Sequence, residues 1–203
     1  MDSKLREYIE WTHVWQEGGD KGDLPRVLLL GDSIVSAYRD AVQENVKGKF
    51  YVDKVATSRS FDQKFYWDQL ELYISDPMLK YDMIFFNFGL HGFHIPTEEY
   101  GRLLEKLADR LIKTGAKLCY MLTTPMINPN SQDWAAKQMD LVVDRNSIAT
   151  KIMNEKNINI LDQYSPILGN MEIRAADEYH YNEKGIDIQA KIVADKICQV
   201  YSK

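Results

Sequence analysis

Three stretches of this chain hold residue types that could do chemistry together: Gly31-Asp32-Ser33, Gly89-Leu90-His91 and Asp177-Glu178-Tyr179-His180. A serine hydroxyl is a weak nucleophile until a neighbouring base takes its proton. Asp177 precedes His180 by three residues, so on one helical turn or in a tight loop its carboxylate reaches one imidazole nitrogen. The other nitrogen is then free to accept a hydroxyl proton. Ser33, His180 and Asp177 thus have the makings of nucleophile, base and orienter. Each piece also has a plainer reading. Asp32 or Ser33 is a good helix N-cap, and an isolated Asp-x-x-His pair is equally a surface histidine at the start of the last helix.

Position in the chain is what sets these residues apart. The apolar run Arg26 to Leu30 lies between a proline and a glycine and reads as a buried parallel strand. Ser33 follows it directly, at the start of a helix expected from Ile34 to about Val46. The unpaired N–H groups and positive dipole end of such a helix can stabilise an oxyanion. Further strands are expected at 50–55, 83–87, 117–122 and 158–161. Helices are expected at 64–75, 97–114, 134–154 and 182–200, with Thr97 as the cap of the third. Alternating strands and helices predict an α/β sandwich around a parallel sheet, whose site lies at the carboxyl ends of the strands. Ser33, residues 57–60, the 89–94 loop and Thr123-Thr124-Pro125 all follow strands and should converge there. Residues 1–25, with Tyr8, Trp11, Val14 and Trp15 at helical spacing, read as a short helix and loop packed on the body formed by residues 26–203.

Composition narrows the classes. The length of 203 residues favours one domain, and 45% hydrophobic with 27% charged residues is ordinary for a globular one. A net charge of -5 argues against a nucleic-acid partner. Cys119 and Cys198 form neither a disulfide framework nor a CxxC pair. No stretch reaches the roughly 18 apolar residues of a membrane span. The opening MDSKLREYIE has no apolar leader core, so the cytoplasm is the default expectation, with secretion or the periplasm if a leader was removed. No HExxH, GxGxxG or P-loop is present, so no metal or organic cofactor is implied. His94 reads as structural or as pocket wall, and most of the aromatic cluster Phe61, Phe65, Tyr66 and Trp67 as core.

A strand running into Gly31-Asp32-Ser33 and a late Asp177-x-x-His180 resemble the first and last blocks of the SGNH (GDSL-like) hydrolases. The stretches 82–91, 117–125 and 182–185 resemble the intervening strands and the segment after the catalytic histidine, so the likeness covers about residues 26–200. It implies a flavodoxin-like three-layer α/β/α sandwich with about five parallel strands. It also implies a serine esterase in which Ser33 is the nucleophile, His180 the base and Asp177 the orienter. Two blocks differ from the usual pattern. Thr57-Ser58-Arg59-Ser60 lacks the oxyanion-hole glycine, so a backbone N–H of Ser58 or Arg59 is expected in its place. Gly89-Leu90-His91 stands where the family has Gly-x-Asn, so the His91 imidazole is expected to replace the amide donor. The resemblance lies nearest the branch associated with carbohydrate-ester deacylation, which implies a small acyl ester, acetyl first, on an oligosaccharide or other small molecule. Two rivals stay open. One is a binding module on the same fold that takes a glycan or small molecule without turnover. The other is a flavodoxin-like regulatory or cofactor-binding domain in which Gly31-Asp32-Ser33 holds an anion at the helix start. Oligomeric state is not legible.

Overall fold

The computed structural model describes residues 6–126 and 133–202, the side chains of 133–138 excepted. Its centre is β2 (Arg26–Gly31), all six residues of which are buried. Side chains alternate across a strand, so Val27 and Leu29 enter one core while Leu28 and Leu30 enter the other. Around β2 the chain lays down β1 (Thr12–Trp15), α1 (Ser33–Asn45), β3 (Tyr51–Thr57), α2 (Lys64–Ile74), β4 (Met83–Phe86), α3 (Thr97–Ile112), β5 (Lys117–Met121), α4 (Asp133–Glu155), β6 (Asn159–Leu161) and α5 (Glu183–Tyr201). The sheet order is β1-β3-β2-β4-β5-β6, with every pair parallel except β1 and β3.

Tyr38 and Val42 of α1 pack with Val193 and Ile197 of α5 on one face of the sheet. Leu70 of α2 and Leu104, Leu107 and Leu111 of α3 pack on the other, where Ala149 and Met153 of α4 join them. The result is the three-layer α/β/α sandwich expected from the order of elements. Among the described residues no helix is long and apolar enough to cross a membrane.

The N-terminal segment departs from expectation. Residues 12–15 form a strand and not part of a helix. Thr12 and Val14 are half-buried while His13 and Trp15 are exposed, a period of two. β1 pairs antiparallel with β3, Thr12 opposite Thr57 and Trp15 opposite Lys54, and so covers an edge that would leave backbone groups unpaired. The sheet therefore has six strands, and residues 12–15 form its edge strand. At α3, Pro96 and not Thr97 occupies the cap position, and Thr97 is the first helical residue. Residues 127–132 of the Pro- and Asn-rich 125–133 loop, and the Trp134 side chain, lie outside the described residues.

Candidate active site

The turn from β2 into α1 divides its labour between adjacent residues. Asp32 is extended and caps α1, its carboxylate accepting from the Ile34 N–H at 2.9 Å. Ser33 is thereby released from capping and takes the first helical position, half-buried, with its own N–H in the unbonded first turn. Gly31 is required by closeness: a Cβ there would lie 2.3 Å from Val35 Cγ2.

His180 arrives from the far end of the chain on a tight turn. Arg174 and Tyr181 form an isolated antiparallel bridge, and the Ala175 N–H donates to the His180 carbonyl. Both flanks are tied to the segment after β5, since Arg174 Nη2 and the Tyr181 hydroxyl donate to the Pro125 carbonyl at 2.9 and 3.0 Å. Inside the turn, Asp177 Oδ1 accepts the backbone N–H groups of Tyr179 and His180 at 2.8 and 2.7 Å. Its Oδ2 lies 2.8 Å from His180 Nδ1, and His180 Nε2 lies 2.8 Å from Ser33 Oγ. Burial pushes the Asp177 carboxyl up, but the His180 N–H, the imidazole and the Tyr179 N–H together hold it below its ordinary value. An ionised Asp177 requires the proton on Nδ1, so Nε2 accepts from the Ser33 hydroxyl. Hydroxyl, imidazole and carboxylate thus form one continuous chain of hydrogen bonds.

Ser58 and Arg59 are not placed as expected. The Ser58 N–H donates to the Trp11 carbonyl at 3.1 Å, and Ser58 Oγ accepts from the Trp11 N–H at 2.9 Å. The Arg59 N–H donates to Thr57 Oγ1 at 3.1 Å. Both amides expected to receive an oxyanion are already committed. The Arg59 guanidinium lies over the Phe65 ring and pairs with Glu10 at 2.5 Å, and Gln63 Nε2 also donates to Glu10. This segment continues the β3 edge, and Ser58 and the Arg59 side chain dock residues 10 and 11.

The loop after β4 is built from within. At Gly89 a Cβ would lie 1.8 Å from Thr123 Oγ1, so only glycine fits. Arg145 of α4, fully buried, donates from Nη1 to the carbonyls of Gly89 and His91, each at 2.9 Å, and from Nη2 to that of Gly92 at 2.7 Å. Its guanidinium packs over Tyr100, and burial lowers its pKa. His91 Nδ1 lies 2.7 Å from Glu7 Oε1. His94 instead pairs with Asp62 at 2.8 Å. Arg145 and Glu7 are not among the residues the sequence singled out, and the sequence marks Trp11 only as part of the apolar spacing of the N-terminal segment. For Arg145 a signal was present, because with Val142, Asn146, Ala149 and Met153 it falls on the buried stripe of α4, where a lone charge needs partners.

Ser33 and His180 open onto a cleft of about 410 Å³ walled by Glu7, Trp11, Leu90, His91, Phe93 and Tyr179. A second hollow of about 480 Å³ is lined by Trp11, His13, Ser33, Ser36 and Ala37. Among the described residues no three His, Cys, Asp or Glu side chains converge as metal ligands would.

No protein-family model matches the sequence, and no curated protein is significantly similar to it. Solved structures are. An acetyl xylan esterase superposes with a TM-score of 0.71 at 16% identity, covering 85% of this chain and 99% of that one. A GDSL-like lipase from Bacteroides thetaiotaomicron gives 0.64 at 14% identity over 86% of this chain and 88% of its own. A variant of an acetyl-xylooligosaccharide esterase from Geobacillus stearmophilus gives 0.65 at 17%, over 87% and 93%. At such identities the likeness is one of fold, and it defines the class: this chain has the fold of the SGNH (GDSL-like) hydrolases.

Proposed function

We propose that this protein is a serine esterase that removes a small acyl group, acetyl first, from a carbohydrate. The observation that carries the reading is the unbroken chain Ser33 Oγ–His180 Nε2 and His180 Nδ1–Asp177 Oδ2, each contact 2.8 Å, at the carboxyl end of β2. In this reading Ser33 attacks the ester carbonyl while His180 takes its proton, and Asp177 stabilises the imidazolium. The Ser33 N–H and the His91 imidazole receive the oxyanion. His180 then protonates the leaving alcohol, and water activated by the same imidazole releases the acyl group. No step calls for a metal or organic cofactor. Trp11, Phe93 and Tyr179 line the cleft with aromatic side chains, a residue type suited to packing against a sugar. The names of two of the similar structures, esterases of acetylated xylan and xylo-oligosaccharides, support the acetyl-carbohydrate choice.

A second reading, a module that binds a glycan without turnover, is favoured by one observation: the Ser58 and Arg59 amides are committed elsewhere. Hydrolysis of p-nitrophenyl acetate and of an acetylated xylo-oligosaccharide by the wild type and Ser33→Ala separates the two. The esterase reading expects a loss on the order of 10⁴-fold or more in the variant with its fold intact by circular dichroism. Equal background rates in both proteins would overturn it.

A further inference from the structure

Two carboxylate–imidazole pairs present an imidazole to the cleft. Asp177–His180 comes from the C-terminal turn, and Glu7–His91 faces the same space with a contact of 2.7 Å. The second pair is assembled from segments 84 residues apart, and both halves are held from behind. Arg145 grips the carbonyls on either side of the His91 backbone. Residues 58 and 59 grip the N-terminal segment at Trp11 and Glu10. The positions that in the resembling family would supply an oxyanion amide therefore anchor here the strand of chain that brings Glu7 to His91.

Resting on the reading of Ser33 as nucleophile, we propose that Glu7 is a positioning residue for His91, orienting its ring and keeping both ring nitrogens protonated so that Nε2 donates to the oxyanion. The chemistry follows from the shared bond. With Nδ1–H donating to Glu7, a neutral ring would carry a bare Nε2 that can only accept. Only the imidazolium leaves Nε2–H as a donor, and a carboxylate on Nδ1 favours that form. The groups facing His91 are Glu7 from the N-terminal segment, Asp32 before α1, Arg145 from α4, and His180 and Tyr179 across the cleft. Burial works against a charge on this ring, but the Glu7 hydrogen bond and the charges of Asp32 and Glu7 outweigh it and the opposing Arg145. The pKa of His91 is accordingly raised.

Glu7 is exposed, so Glu7→Ala leaves the fold undisturbed. In the wild type, kcat/KM for p-nitrophenyl acetate falls on the alkaline side as His91 loses its proton. Glu7→Ala is expected to lower kcat about tenfold with KM unchanged, against about a hundredfold for His91→Ala, the scale of one oxyanion donor. It also moves the alkaline limb to lower pH, and the His91 resonance in NMR titrates lower by the same shift. In a His91→Ala background Glu7→Ala adds nothing, because the two act as one unit. An unaltered kcat and pH profile, a change in KM alone, or a full Glu7 effect persisting without His91 would each overturn the proposal. Ser33→Ala measured alongside keeps the two readings apart: a rate equal to wild type sinks the serine mechanism and this proposal with it. A dead Ser33→Ala beside an unaffected Glu7→Ala sinks this proposal alone.

Discussion

Neighbouring side chains at the β2–α1 turn divide what one residue usually does. Asp32 caps the helix and Ser33, relieved of that bond, meets His180. A serine that had to cap α1 would point its oxygen at the helix and not at a base. The site's glycines act at the same scale, through space and not flexibility. Gly89 lies against Thr123, where an added Cβ would be 1.8 Å from Oγ1. Gly89→Ala should therefore push the 89–92 loop off its seat and cost about 1–3 kcal/mol, the usual cost of overpacking. Urea denaturation reads this as a lower midpoint at unchanged slope, and a midpoint equal to wild type would show that the loop yields freely.

Among the elements, α4 does more than cover the sheet. Its buried Arg145 supplies three hydrogen bonds to loop carbonyls and meets no carboxylate in any of them. Arg145→Met keeps the volume but strands those three acceptors in an apolar interior. At about 1 kcal/mol each at the low end, the loss is expected to reach about 3 kcal/mol or more. A loss below about 1 kcal/mol in urea denaturation would mean that solvent reaches these carbonyls. β1 shows a second element-scale effect. The apolar positions 8, 11, 14 and 15 fit a helix, and the alternation of 12–15 fits a strand. Local pattern does not choose between them. The open edge of β3 does, since only a strand can satisfy its backbone.

At the scale of the whole molecule, acid should unfold this protein through its paired carboxylates. Hydrogen bonding from Arg39 holds Glu17 below its ordinary value. Glu10 is held down as well, burial notwithstanding, by Arg6, Gln63 and Arg59. Asp177 behaves likewise. A carboxyl depressed in the folded state contributes stability that is present above its unfolded value, near 4.3 for Glu and 3.9 for Asp, and lost as pH falls through the folded one. Asp53 has the opposite sign: burial raises its pKa despite the Arg26 pair, so its contribution is present at low pH and lost as pH rises. Among the described carboxyls Glu10, Glu17, Asp23, Glu71, Glu99, Asp162 and Asp177 are depressed and Asp53 is raised, which predicts urea midpoints that fall from about pH 4.5 to 3. A midpoint that climbs below pH 4 would mean that Asp53 dominates.

From β2 onward, sequence by itself determined the order of strands and helices and the three-layer sandwich, because the continuous apolar run of β2 and the periodic stripes of the helices are local properties of the chain. It also determined which residues could be nucleophile, base and orienter, because Ser33 follows a buried strand and Asp177 and His180 share one turn. Only the tertiary structure decided what each of these residues meets. The 2.8 Å contact between Ser33 and His180 spans 147 residues, and the Glu7–His91 contact spans 84. Local pattern carries no record of such distances. The same limit explains Ser58 and Arg59. Resemblance assigned their amides to the oxyanion. The Ser58 N–H went to the segment that arrived at the sheet edge and the Arg59 N–H to Thr57 Oγ1, since an amide donates to whichever acceptor the fold brings near.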